Sequence, residues 1–210
     1  MKHQKYYTFL QKQILVMIGL SLIPGLVYVV FGWIFDIHRP ALVWYGIMMV
    51  TSLYGWFLYR EFANHKMDED HLRVWYRKLT WFFYIIFSSW SLIFVMYVGH
   101  DEHNLHYIAI FTQLGASVVA STLLISDKKL FIPILSTLML PLTVYFMIIG
   151  TWYGYVLAVF SLIFLSVLLY AAYNTNRLLQ VNYSQAQHDI LTGLYNRRYF
   201  MEYMESLNER

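Results

Sequence analysis

The sequence predicts an all-α membrane protein, a six-transmembrane-helix bundle that continues into a cytoplasmic helical linker. Apolar residues make up 59% of the 210 positions and charged residues only 13%, about half of the roughly 25% that is usual in soluble domains. Six long apolar runs recur along the chain, and the lysines and arginines gather in alternate connections between them. The chain has no cysteine, so disulfides, thiolate metal ligands and thiol nucleophiles are excluded.

Each apolar run is close to the roughly 20 residues that a helix needs to cross a ~30 Å hydrocarbon core. No Asp, Glu, Lys, Arg or His interrupts any of them. Since one such charge at the membrane centre costs about 2.5–3.5 kcal/mol on insertion scales, lipid is the expected environment of all six. The predicted spans are Ile14–Phe35, Ala41–Tyr59, Leu79–Gly99, Tyr107–Ile125, Leu130–Ile149 and Gly154–Tyr173.

Lysine and arginine are distributed unevenly between the two sides of this predicted bundle. Of the fifteen Lys and Arg residues, only Arg39 falls in a connection on the side opposite the termini. Because cytoplasmic loops are rich in these residues, both termini are predicted to lie in the cytoplasm.

Many tryptophans and tyrosines fall near the predicted ends of the spans. Their amphipathic rings favour the membrane interface, so an anchoring role is predicted for them. The predicted anchors are Trp33, Trp44, Tyr97, Tyr107, Trp152 and Tyr153 on the outer side and Trp56, Tyr59, Trp75, Trp81 and Tyr173 on the inner side.

The middle of the spans carries prolines, small hydroxyl residues and one amide. Proline removes a backbone donor and bends a helix, which can open a gap between neighbours, although membrane helices also tolerate it structurally. Mid-span Ser and Thr are expected to mediate helix–helix contact. An amide exposed to lipid is costly, so Gln113 is expected to face the bundle interior and find a partner. The candidates for a pocket holding a small lipophilic ligand are Gln113, Ser88, Ser117, Pro141 and Trp33.

The third connection holds three histidines and two carboxylates within seven residues, His100-Asp-Glu-His103-Asn-Leu-His106. Imidazole and carboxylate are good ligands for Zn²⁺, Cu²⁺ and Ni²⁺, and histidine titrates near ~6.5. A metal site, a proton sensor and a plain polar loop all fit this pattern.

The sixth span has no helix breaker after Tyr173 until Gly193, so its helix is predicted to continue into the cytoplasm as a linker over 174–188. In a heptad frame, Leu178 and Val181 are the apolar members of a seam that also holds Asn174, Gln185 and His188. Such a weak seam suits a signalling helix in a parallel homodimer, and it suits a plain linker equally well.

A twelve-residue motif follows, Asp189-Ile-Leu-Thr-Gly-Leu-Tyr-Asn-Arg-Arg-Tyr-Phe200. It resembles the opening signature D-x-L-T-G-L-x-N-R-R-x-F of GGDEF domains, the diguanylate cyclase family, and it meets every fixed position. The bundle before it is similar in layout to the membrane-associated sensor (MASE) group. The matching residues, expected to shape the start of the domain, are Asp189, Leu191, Thr192, Gly193, Leu194, Asn196, Arg197, Arg198 and Phe200.

This resemblance implies a domain order of transmembrane sensor (1–173), linker (174–188) and start of a GGDEF domain with its first helix (189–210). Family members condense two GTP into cyclic di-GMP using Mg²⁺, with one GTP on each of two facing domains. The metal-binding aspartates and the GG(D/E)EF loop lie downstream in the family and are absent here, so the chain itself is not expected to be catalytic. The implied location is a bacterial inner membrane, and the implied partners are lipid, a second copy and a small ligand, with no nucleic acid.

Two alternatives belong to other classes of function. The bundle could serve a degenerate GGDEF module that binds nucleotide or regulates a phosphodiesterase. It could also be a small transporter, although no span carries an ionisable residue that would mark an ion path.

Overall fold

A computed structural model of the chain describes residues 2–64, 68–99, 101, 103–125 and 127–187. Within those ranges it contains six α-helices and no strand, and every helix is long and apolar enough to cross a membrane. The predicted all-α bundle is therefore confirmed, and the chain is a multi-pass membrane protein. The helices are α1 Lys2–Ile34, α2 His38–Asn64, α3 Glu69–Val98, α4 His103–Leu123, α5 Lys128–Ile148 and α6 Trp152–Gln187.

Helix α3 forms the centre of the bundle and α6 lies at its edge. The α1 helix contacts mainly α2, the α5 helix contacts mainly α6, and α3 contacts α2, α4 and α5. In the most apolar window of each helix, 56% of the residues of α3 are buried, against 22% for α6. One long face of α6 is therefore left to lipid or to another chain.

Short turns with defined conformations end the helices. Asp36 (φ 59°) and Gly150 (φ 69°) take left-handed backbone conformations in the α1–α2 and α5–α6 turns, which Asp tolerates and glycine adopts freely. Asp68 caps α3 by accepting a hydrogen bond from the His71 N–H at 2.9 Å. That N–H also lowers the pKa of the Asp68 carboxyl. The ionised Asp68 cap thus stabilises α3 above the pKa of this carboxyl in the unfolded chain. This stabilisation is lost as the pH falls through the lowered pKa of the folded protein.

Three of the predicted interfacial anchors instead lie inside the bundle. The rings of Trp44, Trp75 and Tyr97 are at most 4% exposed. Both indole N–H groups donate to main-chain carbonyls across the α2–α3 contact, and the Tyr97 hydroxyl donates to the Tyr28 carbonyl at 2.5 Å. The anchoring prediction is wrong for these three, because a buried partner satisfies each polar atom. The exposed aromatics that fit anchoring are Trp33, Trp56, Trp81, Tyr107, Trp152, Tyr153 and Tyr173.

Close approach of α2 to α3 depends on Gly55. A Cβ atom at this position would lie 2.7 Å from Cζ of Phe82, whose ring is fully buried. Gly55→Ala must therefore push the helices apart or move the ring. We expect it to lower the free energy of unfolding by about 1–3 kcal/mol, as overpacked cores do. Thermal unfolding of the purified protein in detergent measures the loss.

The matched control is Gly46→Ala on the same helix, where an added Cβ meets nothing within 4 Å. This variant is expected to melt at the wild-type temperature or slightly above it, since alanine is the better helix former. Equal melting temperatures for the two variants would contradict the close approach of α2 and α3.

Candidate functional site

The turn between α4 and α5, described at Leu124, Ile125 and Asp127, joins several helices at the end of the bundle where α6 leaves it. We call it the junction turn. Asp127 is 6% exposed, and its carboxylate accepts hydrogen bonds from the hydroxyls of Tyr6 (2.6 Å) and Tyr76. It also caps α5 by accepting from the Lys129 N–H at 2.9 Å. A buried carboxylate is costly unless such donors surround it, so this side chain ties α1, α3 and α5 together.

Helix α6 is held at the same turn. The Asn176 side chain is 2% exposed, and its Nδ2 donates to the Ile125 carbonyl at 2.8 Å. One turn earlier on α6, the Tyr173 ring lies 3.9 Å from the Lys128 ammonium, within the range of a cation–π interaction. A displacement of the junction turn would therefore be passed directly to α6.

The exposed face of α6 carries an apolar stripe in two parts, one within the membrane and one at the start of the linker. Leu178 is 60% exposed and Val181 is 43% exposed. Asn176 and Ala172 lie on the opposite, buried face. The exposed members of the stripe, which recur every three or four residues apart from a gap at 171–177, are Val156, Phe160, Ile163, Val167, Tyr170, Leu178 and Val181.

The predicted ligand-pocket residues fall in three places. Ser88 and Pro141 line an open groove of about 470 Å³ between α3 and α5, which we call the upper groove. Gln113 and Ser117 are buried behind it. Trp33 is 62% exposed and stacks on His38, away from the groove.

The expectation that Gln113 faces the interior and finds a partner is confirmed. Its side chain is 1% exposed, and Nε2 donates to the Leu138 carbonyl at 2.5 Å. A longer contact of 3.5 Å reaches the hydroxyl of Ser91, which itself lines the upper groove. Gln113 therefore connects α4 with α3 and α5 directly behind the groove. A role in ligand binding stays a prediction.

Of the three predicted metal-binding histidines, only His106 has a described side chain. Its Nδ1 lies 3.0 Å from the Tyr145 hydroxyl, and its ring packs edge-on against that tyrosine. Across the ranges that the structure describes, no three His, Asp or Glu side chains come close enough to hold a metal ion. His100 and the side chain of His103 lie outside those ranges, so metal binding stays a prediction.

The junction turn was not among the sites predicted from sequence. Asp127 directly precedes the start of α5, which is a recognisable N-cap signal. Its tyrosine partners Tyr6 and Tyr76 are 121 and 51 residues away, and no local pattern joins them to it. Asn176 gives a weaker indication of a site, since it is only a polar residue at the end of an apolar span.

The motif from Asp189 to Phe200, which includes Arg197 and Arg198, lies outside the described residues. The seam residue His188 also lies outside them. The continuation of the sixth span as helix is confirmed as far as Gln187. No protein family, no curated protein and no solved structure matches the chain. The structure thus establishes a membrane protein with six helices in its described part. The resemblance to the GGDEF family rests on the sequence motif alone.

Proposed function

We propose that the chain is a membrane-embedded sensory domain that controls a cytoplasmic diguanylate cyclase, which makes cyclic di-GMP from two GTP with Mg²⁺. The observation that carries this proposal is the α6 helix, which is unbroken from Trp152 to Gln187, while the GGDEF-like motif begins in the sequence at Asp189. In this proposal, α6 leads from the bundle towards the output domain.

The junction turn supplies the mechanical connection in this proposal. Through Asp127 it contacts α1 and α3, and through Ile125 it contacts α6. Lys128, the first residue of α5, adds a second contact with α6 at Tyr173. A ligand that changes how α3 and α5 sit against each other would move this turn and with it the output helix. Signal transfer then needs only a small shift between two arrangements, which is how packed interfaces commonly switch.

We place both termini in the cytoplasm of a bacterial cell, with the bundle in the inner membrane. The distribution of Lys and Arg supports this orientation, because fourteen of the fifteen fall on the side of the termini. GTP chemistry requires the same side.

The active unit in this proposal is a parallel homodimer that packs along the apolar stripe of α6. Two GGDEF domains must face each other to join two GTP molecules, so two copies of α6 must run side by side. The stripe continues to Leu178 and Val181 at the end of the apolar span. Pairing with a second copy at this point would remove the exposed apolar side chains from water, which is favourable.

Single cysteines test this dimer, and the chain contains no other cysteine that would interfere. Leu178→Cys and Val181→Cys are expected to form disulfide-linked dimers in membranes under mild oxidation, because both positions face the twofold axis. A Cα–Cα separation below about 7 Å is needed for such a bond. Non-reducing gel electrophoresis measures the yield.

Thr175→Cys is the matched control, since Thr175 is exposed but lies about 90° around the helix from the centre of the Leu178–Val181 face. It is expected to crosslink much less. Equal crosslinking at all three sites would indicate random collision, and no crosslinking at 178 or 181 would refute the dimer along this face.

A fusion protein tests the assignment of function itself. Residues 1–188 are joined to a complete GGDEF catalytic domain in place of the chain's own 189–210, and cyclic di-GMP is measured in cells. The proposal expects the output of this fusion to depend on the bundle, so that Asn176→Leu, which breaks the contact with Ile125, changes it. A fusion whose output equals that of the isolated catalytic domain, with and without Asn176→Leu, would contradict the proposal.

A further inference from the structure

A second groove, of about 410 Å³, lies below the upper groove, towards the end of the bundle that holds the chain termini. We call it the basic groove. Its charged lining residues are all cations: Arg73 and Arg77 from the first turns of α3, and Lys129 from the start of α5. The full lining is Tyr7, Arg73, Tyr76, Arg77, Thr80, Tyr84, Lys129 and Leu130.

The three cations of this groove, Arg73, Arg77 and Lys129, have no ion-pair partner among the described residues. The buried Asp127 carboxylate beside the groove accepts hydrogen bonds from two tyrosine hydroxyls and the Lys129 N–H, and it forms no ion pair with the three cations. Three cations held in one concave site with no acid among them favour an anionic ligand.

The basic groove and the upper groove are two parts of one seam between α3 and α5. On α3, Arg77, Thr80, Tyr84 and Ser88 follow one another at spacings of three and four, so they lie on one face. The α5 helix runs alongside, and the Tyr84 hydroxyl donates to the Lys129 carbonyl at 3.4 Å. The α3–α5 seam therefore leads from the cations to the upper groove, and Tyr84 lies between the two grooves.

The length of this seam matches one leaflet of a bilayer. Eleven residues of helix separate Arg77 from Ser88, which corresponds to about 16 Å along the axis. Half of a ~30 Å hydrocarbon core is about 15 Å. An acyl chain attached to a headgroup at Arg77 would thus end beside Ser88, at the lower edge of the upper groove.

We propose that this seam binds one anionic phospholipid. Its phosphate lies between Arg73, Arg77 and Lys129, whose N–H donors match phosphate oxygens in charge and geometry. One acyl chain lies along the α3–α5 seam and ends in the upper groove, whose lining is mainly apolar apart from a few hydroxyls. A soluble phosphate compound would use the cations but would leave the apolar seam empty, so the lipid fits the whole surface.

The lipid site adjoins the junction turn. Tyr76 lines the basic groove and also donates its hydroxyl to Asp127. Occupancy of the groove would therefore fix the tyrosine that secures this turn, and through it the position of α6. This regulatory consequence rests on the proposed function, whereas lipid binding does not and is measured without any output domain.

Native mass spectrometry of the purified chain in a non-ionic detergent tests the proposal. Dioleoylphosphatidylglycerol is added as the anionic probe and dioleoylphosphatidylcholine as the zwitterionic one. The wild type is expected to retain one phosphatidylglycerol molecule in preference to phosphatidylcholine. The double variant Arg73→Gln/Arg77→Gln is expected to bind it roughly thirtyfold more weakly, at the usual contribution of a basic residue near an anionic lipid.

The matched control is Lys12→Gln/Arg60→Gln, which removes the same charge from the same end of the bundle but outside the seam. It is expected to bind phosphatidylglycerol as the wild type does. Ser88→Trp, which fills the upper groove, is expected to weaken binding with the cations intact, and inorganic phosphate is expected not to displace the lipid.

Several results would overturn the proposal. These are equal retention of the two lipids by the wild type, equal losses in the seam and control variants, full retention in Ser88→Trp, or displacement by inorganic phosphate. Thermal unfolding in phosphatidylcholine checks that all variants are folded. If the variant Arg73→Gln/Arg77→Gln does not fold, Lys129→Gln is used in its place. That variant must then bind phosphatidylglycerol more weakly than the wild type does.

Discussion

Asp127→Ala is expected to destabilise the bundle by about 2–4 kcal/mol, because it removes the shared acceptor of two tyrosine hydroxyls and a helix cap. Hydrogen bonds to a charged group contribute about 1.5–3 kcal/mol each, and the cost of burying the carboxylate offsets part of that sum. The loss is measured as a drop in the thermal midpoint of the purified protein in detergent.

Conservative variants separate the contributions. Tyr6→Phe and Tyr76→Phe each delete one donor and leave the ring in place, and Asp127→Asn keeps an acceptor without the charge. Each is expected to cost less than Asp127→Ala. In a double-mutant cycle, Tyr76→Phe should cost much less when Asp127 is already alanine, since the two groups interact directly. A wild-type melting temperature for Asp127→Ala would contradict the arrangement at the junction turn.

The six spans were predictable because lipid imposes a rule that can be seen locally in the sequence, namely the absence of charge over about 20 residues. The ends of the helices were less predictable. The α1 helix begins at Lys2 and α3 begins at Glu69, ten or more residues before the predicted spans. Beyond the hydrocarbon core, caps such as Asp68 decide where a helix ends, and lipid does not.

The partners of the mid-span hydroxyls were not predictable, because composition does not reveal which carbonyl a hydroxyl will reach. Ser89 and Ser117 donate to carbonyls of their own helices, four residues earlier. Ser91 does cross to the Thr137 carbonyl on α5, at 3.0 Å. A hydrogen bond between helices is therefore seen for Ser91, whereas Ser89 and Ser117 use their hydroxyls within their own helices.

The junction turn is the part of the candidate site that could not be predicted from the sequence. Its function in the fold comes from side chains on four helices that meet only after the bundle is assembled. In the sequence, Asp127 before Lys128 and Lys129 indicates only a helix N-cap. In contrast, Gln113 could be placed in advance, because one amide in an apolar span must find an interior partner.

The second large effect is expected on cyclic di-GMP output, when an insertion beyond the membrane rotates the end of α6 about its helix axis. In the fusion of residues 1–188 to a GGDEF catalytic domain, one residue inserted after Val181 rotates everything that follows by about 100° around the helix axis. Two catalytic domains that faced each other would then face apart. Cyclic di-GMP output is expected to fall by about a hundredfold, since misplaced reacting groups lose catalysis at this scale.

Seven inserted residues provide the control, because they restore the helical phase to within about 20° while making the linker longer. Measurement of cyclic di-GMP in the three fusions, with none, one or seven inserted residues, tests most directly the claim that α6 carries the signal from bundle to output. We expect high output, low output and recovered output, in that order. The same output from all three would contradict it.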